Sequence, residues 1–137
     1  MAETENPAVS RIINSEIVLQ HFGYWPDFHD AEITKVVFET YPTGRYSVTF
    51  TIEVWEMVNE LDEQGHYKQA KHCLIELQFI GIEEMEFNSF NYQNVIFDLV
   101  FAERGSNIEC RFDSSNGLEA AIVAEEVLVI SLTPTQR

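Results

Sequence analysis

The stretch Tyr46-Ser47-Val48-Thr49-Phe50-Thr51-Ile52-Glu53-Val54 alternates apolar and polar side chains along its whole length. A period of two residues is typical of a β-strand that has one face buried and the other exposed to water. The same alternation recurs at residues 36–39, 72–79, 95–101 and 108–112. Short turn sequences separate these segments, so we expect successive strands to pair antiparallel.

The pattern predicts a mainly β (α+β) fold. We expect an antiparallel sheet, or a sandwich-like curved sheet, of about six to eight strands with one short N-terminal helix. Residues 15–22 form the predicted helix, since Asn14 or Ser15 can cap its first amides and Gly23 can end it in the left-handed conformation. The apolar stretch at residues 118–132 predicts two strands or one kinked strand, with a helix over residues 118–126 as the alternative.

Length and composition fit one soluble domain. The 137 residues, of which 45% are hydrophobic, are enough to bury a core, and we expect a single domain over residues 1–137 with residues 1–7 disordered. The polar, acidic N-terminus is unlike a secretory signal, and no apolar run approaches the ~18 residues of a membrane span, so we expect a cytoplasmic protein. Cys73 and Cys110 lie on the apolar phase of strand patterns and are predicted to be buried and unpaired.

The net charge excludes several classes of function. A formal charge of −15 with pI about 4.4 argues against binding to nucleic acid, which needs clustered Lys and Arg, and against binding to anionic membranes. A strongly acidic protein attracts basic partners over long range. We therefore expect a basic protein partner, and neither nucleic acid nor membrane.

One candidate interaction surface follows from these charges. The predicted partner-binding residues lie on the outward phase of the Tyr46 strand and in the polar loop after it, where no Lys or Arg occurs between Arg45 and Lys68: Glu53, Trp55, Glu56, Glu60, Asp62 and Glu63. An exposed Trp among carboxylates is typical of a protein-binding hot spot. The alternative is a solvated face with Trp55 packed beneath the loop. The residues 46–56 are also a candidate sheet edge, so both a monomer and a homodimer remain open.

The segment between the helix and the first strand, residues 22–32, contains four aromatic side chains, a Gly, a Pro and a His-Asp pair. His29-Asp30 invites comparison with metal-dependent phosphohydrolases, but their sites need further His and Asp ligands. We predict no catalytic residue, no metal site and no cofactor, and a structural role for the pair in holding the loop. The aromatic residues either plug the open end of the sheet or form a patch, and a small-molecule or peptide-binding pocket at residues 24–32 is the alternative function.

The same segment resembles the opening signature of a family of small bacterial proteins. Its W-P-x-F-H-D-A-E-type motif is similar to that of the immunity protein fifty family of polymorphic toxin systems, and the motif residues here are Trp25, Pro26, Phe28, His29, Asp30 and Glu32. The resemblance also extends, more weakly, to residues 108–112 and 117–129. It implies a β protein that binds and neutralises a toxin domain, and it assigns no tested role to any motif residue.

Overall fold

The computed structural model describes residues 6–135 of the chain. Its elements, in chain order, are α1 (Pro7–Ser10), α2 (Ser15–Phe22), β1 (Glu32–Thr40), β2 (Tyr46–Leu61), β3 (Tyr67–Asn88), β4 (Val95–Arg104), β5 (Asn107–Asn116) and β6 (Glu119–Pro134). All six strands belong to one antiparallel sheet, which confirms the predicted mainly β fold. The predicted N-terminal helix is confirmed as α2.

The sheet curls until it closes into a barrel with the strand order β1-β2-β3-β6-β5-β4. Most neighbouring strands pair over many residues, as β3 and β6 do from Cys73 opposite Pro134 to Asn88 opposite Glu119. In contrast, β1 and β4 meet at one pair among the described residues, Glu32 opposite Val95. The barrel is therefore held shut along most of its wall by long ladders. At this seam it is held by one strand pair and by three backbone hydrogen bonds among the described residues, from Ile33 to Asn94, from Asp30 to Ile96 and from Ile96 to Ala31.

The barrel interior is filled by the apolar phase of the strands. Val48, Phe50, Ile52 and Val54 are all buried, as the alternation in β2 predicts. Phe50 stacks on Phe112 with ring centroids 4.5 Å apart. Each fully buried large apolar side chain contributes about 1.5–3 kcal/mol relative to an exposed one, so this interior is the main source of stability.

A buried amide supports the seam between β1 and β4. Asn94 is 3% exposed, and its side-chain oxygen accepts hydrogen bonds from the backbone amides of Asn91 and Leu118, each at 3.0 Å. Its side-chain nitrogen donates to the carbonyls of Asn91 at 2.8 Å and Ile33 at 3.4 Å. One side chain thus ties β1 to the loop before β4 and to the residue that precedes β6.

The N-terminal helices cover part of the barrel. Gly23 ends α2 in the predicted left-handed conformation, and its amide donates to the Leu19 carbonyl at 2.7 Å. Of the two predicted caps, Asn14 and Ser15, the structure places Asn14 at the N-cap position, but the Asn14 side chain makes no capping bond and donates instead to the Val129 carbonyl. No helix among the described residues is long and apolar enough to cross a membrane.

The segment 1–7, expected to be disordered, falls mostly outside the described residues, which begin at Asn6. The side-chain oxygen of Asn6 accepts the Ala8 amide at 2.9 Å and so caps α1. The side-chain nitrogen of Asn6 donates to the Phe101 carbonyl at 3.0 Å. This end of the described chain is therefore attached to β4.

Three strands are longer than the sequence indicates. Residues 83–88, which show no regular period, belong to β3, and residues 119–134 form the single strand β6 rather than a helix. The β2 strand continues to Leu61, into the predicted polar loop. Past Glu53, which pairs with Glu32, β2 has lost its β1 neighbour, and it continues with β3 as a two-stranded projection. We call this projection, residues 55–61 and 67–71, the ribbon.

Candidate functional site

The segment between α2 and β1, residues 23–31, which we call the aromatic loop, packs its middle residues into the barrel end. Phe28 is buried, and its ring meets that of Trp25 edge-on at 5.8 Å. Trp25 is half-buried and also meets Phe101 of β4 edge-on at 6.0 Å. Tyr24, by contrast, is 46% exposed. The loop therefore combines the two expected roles, since Trp25 and Phe28 plug the barrel and Tyr24 faces solvent.

The backbone of the aromatic loop turns sharply before β1. Phe28 and Asp30 have φ angles of 63° and 69°, in the left-handed region that non-glycine residues rarely adopt. The Asp30 amide donates to the Ile96 carbonyl at 2.9 Å, and the Ile96 amide donates to the Ala31 carbonyl at 2.9 Å. These bonds draw the loop toward β4, and strained conformations of this kind are frequently found at functional sites.

The His-Asp pair of the motif lies on the outside of this turn. The His29 Nδ1 donates to the Phe97 carbonyl at 2.9 Å, and its Nε2 lies 3.6 Å from Oδ1 of Asp30. The backbone amide of His29 donates to the Asp27 carboxylate at 2.9 Å. The bond to the Phe97 carbonyl, aided by the charges of Asp30, Asp27 and Asp98, raises the pKa of His29 above 6.5.

The other motif residues occupy structural positions. Pro26 is buried beside Trp25, and Glu32 is half-buried at the seam, where it pairs with Glu53 on one side and Val95 on the other. Within residues 6–135, no group of three or more His, Cys, Asp or Glu side chains is placed to hold a metal ion. The motif arrangement holds the aromatic loop and leads the chain into β1.

The predicted partner-binding residues occupy three different environments. Glu53 and Trp55 are half-buried, and Trp55 stacks on His72 with ring centroids 5.8 Å apart. Asp62 accepts the backbone amides of Gln64 and His66, each at 2.9 Å, which lowers its pKa and shapes the turn of the ribbon. Glu60 and Glu63 are exposed near the ribbon tip.

Two lysines of β3 lie beside the predicted acidic residues of β2, although the two groups are separated in the sequence. The hairpin brings β3 back beside β2, so that Lys68 lies 3.5 Å from Glu60 and Lys71 lies 3.4 Å from Glu56. The gap between Arg45 and Lys68 in the sequence therefore does not keep cations away from these carboxylates in the fold. Antiparallel pairing places residues distant in sequence opposite each other.

Glu56 links the ribbon to the aromatic loop. Its carboxylate accepts a hydrogen bond from the Tyr24 hydroxyl at 2.7 Å, and this bond, together with the Lys71 charge, lowers the pKa of Glu56. Burial and the same hydrogen bond raise the pKa of Tyr24 to about 12. Lys71 also donates to the Phe22 carbonyl at the end of α2 at 3.0 Å. The base of the ribbon is thereby fixed against α2 and the aromatic loop.

A groove of about 480 Å³ runs between the aromatic loop and β2. Its walls are residues 24–30 on one side and residues 55–57 on the other. The groove brings part of the family motif together with Trp55 and Glu56 of the predicted partner-binding set. Its surface combines aromatic rings with the carboxylates of Asp27, Asp30 and Glu56.

One protein family matches most of the chain. A family model described as immunity protein 50 matches residues 14–135. The chain belongs to the immunity protein 50 family. The resemblance seen in the W-P-x-F-H-D-A-E-type segment is thereby confirmed, and it extends from Asn14 to Thr135. No curated protein and no solved structure matches the chain.

The immunity protein 50 match includes both walls of the groove, the seam at Asn94 and every strand. The helical turn α1 lies outside the matched range. The groove is therefore built wholly from the part of the chain that defines the family.

Sequence reasoning missed several residues of this site. Lys71 and Met57 were not singled out, although counting back from the turn at residues 62–66 would have placed β3 cations beside β2 carboxylates. Asn94 gave no signal, because a buried Asn cannot be distinguished from a loop Asn in a single sequence. The two thiols are buried and unpaired, as predicted, and burial raises the pKa of Cys73 to about 12.

Proposed function

We propose that this protein is a non-enzymatic immunity protein that binds and neutralises a basic toxin domain in the cytoplasm. The observation that carries this proposal is the groove, in which the family motif and the residues Trp55 and Glu56 meet within the matched range. The partner contacts the groove and the adjoining ribbon.

Charge supports a basic partner. At −15 the protein produces a negative field that speeds the encounter with a cationic domain, and carboxylates at the groove fix the register of the complex. Side chains such as Tyr24 and Trp55 supply the aromatic anchors that dominate binding energy in protein interfaces. Exposed Met57 and Leu61 extend the apolar surface along the ribbon.

The proposal is tested by affinity capture with the tagged protein in its source strain, followed by measurement of binding to the purified partner. We expect recovery of a toxin domain with basic pI. Its association rate should fall at least about tenfold as salt rises from 0.02 M to 0.5 M, because attraction between exposed charges is screened beyond the Debye length. Capture of no toxin domain, in cells shown to produce one from a neighbouring gene, would defeat the proposal.

A pair of charge-matched variants locates the contact. Asp30→Asn removes a carboxylate that lines the groove, and Glu126→Gln removes an exposed carboxylate from the outer face of β6. Asn is also well suited to the positive φ of residue 30. We expect D30N to weaken toxin binding about threefold or more and E126Q to change it less than twofold, since a contact charge is worth about 0.2–1 kcal/mol or more while a remote one is screened. Equal effects would place the interface elsewhere.

The size of the groove favours a second candidate function. Its volume lies within the range of about 300–1,000 Å³ typical of ligand sites, so a small-molecule or peptide-binding module at the aromatic loop is the alternative. Native mass spectrometry of the protein purified from its source distinguishes the two. A bound small molecule that protects the Trp25 and Trp55 side chains from oxidation would favour the alternative.

A further inference from the structure

The outer edge of β2 loses its strand partner where the ribbon begins. Pairing of β1 with β2 starts at Glu32 opposite Glu53. Beyond Val54, β2 pairs with β3 at Glu56, Met57 and Leu61, with register shifts on both sides of the Glu56 and Met57 pairs. On the other side of residues 55–61, no strand or backbone hydrogen bond is present among residues 6–135. The six steps from Trp55 to Leu61, at no more than about 3.4 Å each, give at most about 20 Å of open edge. An open edge of this kind presents unpaired amides and carbonyls.

The aromatic loop opens this edge by leaving the sheet. If the chain before Glu32 continued straight, it would lie beside residues 55–57 of β2. Instead the chain turns toward β4. The turn is made by the positive φ angles of Phe28 and Asp30 and by the hydrogen bond from the Asp30 amide to the Ile96 carbonyl. The space left behind is the groove of about 480 Å³. The left-handed conformation of Phe28 is disfavoured by about 1–2 kcal/mol, so the rest of the fold must offset this cost to keep the groove open.

On β4 and on the β3 side of the ribbon, side chains form hydrogen bonds to backbone carbonyls at the strand edge. On β4, the carbonyls of Phe97 and Phe101 accept hydrogen bonds from His29 and Asn6. On the β3 side of the ribbon, His21 bonds to the Lys71 carbonyl at 2.8 Å. Such capping prevents these edges from pairing with another strand. Residues 55–61 of β2 have no capping bond of this kind among the described residues.

The side chains around the open edge indicate which kind of segment can bind there. Carboxylates of Asp27, Asp30 and Glu56 lie along the groove, and they outnumber the two cationic groups that face them, Lys71 beside Glu56 and the protonated form of His29 beside Asp30. Met57 and Leu61 are 51% and 60% exposed. A strand that alternates Lys or Arg with apolar residues would pair its cations with these carboxylates and pack its apolar side chains on Met57 and Leu61. A second copy of this chain is disfavoured, because each copy carries a charge of −15.

We propose that the open edge of β2, residues 55–61, pairs with an extended cationic segment of the toxin domain, which takes the position that β1 would hold if it extended beyond Glu32. Main-chain hydrogen bonds supply the attachment, and the groove receives alternate side chains of the segment. This inference rests on the proposed function, of which it specifies the contact.

Amide hydrogen exchange of the ¹⁵N-labelled full chain tests the pairing directly. The probe is the peptide Lys-Val-Lys-Val-Lys-Val-Lys, acetylated and amidated at its ends. At saturation we expect the amides within residues 55–61 that point away from β3 to exchange at least about tenfold more slowly. The amides of residues 67–71 on the other edge of the ribbon serve as the internal control and should not change.

An analogue of the peptide N-methylated at every residue keeps the charges and lacks amide donors. We expect it to bind at least about tenfold more weakly, because each net hydrogen bond is worth about 0.5–1.5 kcal/mol. Absence of peptide binding, equal binding of the analogue, or protection outside residues 55–61 would overturn the inference.

The toxin domain recovered by affinity capture should protect the same amides. A toxin that binds and protects a different surface would refute edge pairing and leave the immunity function standing. Failure to capture any toxin domain, alongside peptide protection at residues 55–61, would refute the proposed function alone.

Discussion

The buried side chain of Asn94 offers a sharp test of how the barrel is closed. The bonds from the Asn94 side chain to Ile33 and Leu118 join β1 to the residue before β6, and they add to one strand pair and three backbone hydrogen bonds at the seam between β1 and β4. Replacement by Ala removes all four hydrogen bonds of the side chain, two of them to the exposed Asn91, and leaves backbone groups of the buried residues Ile33 and Leu118 without these partners. We therefore expect Asn94→Ala to loosen the seam and lower the stability of the whole barrel.

The expected loss in the free energy of unfolding follows from the four hydrogen bonds of the Asn94 side chain. A neutral hydrogen bond contributes about 0.5–1.5 kcal/mol net, and a buried group left unpaired costs about 1–3 kcal/mol. Because one of the four bonds is long, at 3.4 Å, we expect a loss of about 3–5 kcal/mol in the free energy of unfolding. That is a large part of the about 5–15 kcal/mol typical of a domain.

Urea unfolding followed by tryptophan fluorescence measures this change. The control is Asn116→Ala, an exposed Asn whose amide makes one bond, to Gln93 at 3.3 Å, and which should shift stability by less than about 0.5 kcal/mol. A loss below about 1 kcal/mol for N94A would refute the view that this side chain closes the barrel.

Two further predictions concern the same end of the molecule. Gly117→Ala should destabilise the protein by at least about 2 kcal/mol more than Gly44→Ala in urea unfolding, although both glycines have φ of 88°, because a Cβ at Gly117 would lie 2.5 Å from Oδ1 of Asn94 and one at Gly44 meets nothing within 4 Å. Equal losses would show that the contact relaxes at no cost. His29 should titrate above pH 6.5 by NMR, since its bond to the Phe97 carbonyl favours the protonated ring. Its contribution to stability is then fully present below pH 6.5 and lost as pH rises through the higher folded pKa, so His29→Gln should cost more stability at pH 5.5 than at pH 8.5. A pKa at or below 6.5 would contradict this.

Local patterns in the sequence predicted much of the fold. Alternation in β2 identified Phe50 and Ile52 as interior residues, and Gly23 marked the end of α2. These features depend on neighbours within a few residues, so the chain reveals them directly. The motif at residues 25–32 likewise identified the family, because its residues are contiguous.

The interaction site was only half predictable. The outward phase of β2 indicates Trp55 and Glu56, and composition indicates the aromatic loop, but no local pattern places these two segments together. Lys71, 15 positions after Glu56, neutralises part of the predicted acidic face only because the hairpin returns β3 beside β2. Charge patterns read along one strand omit the charges of its neighbour.

Local patterns along the chain identify which residues face inward, where the helix ends, the surplus of negative charge and the family. Contacts between distant segments close the sheet at Glu32 and Val95, position Asn94 at this seam, and open a groove beside the free edge of β2. The reason is that side-chain periodicity is set by backbone geometry over a few residues. Strand order, closure and the course of the aromatic loop depend instead on hydrogen bonds and packing between segments far apart in the chain, whose energies no local pattern contains.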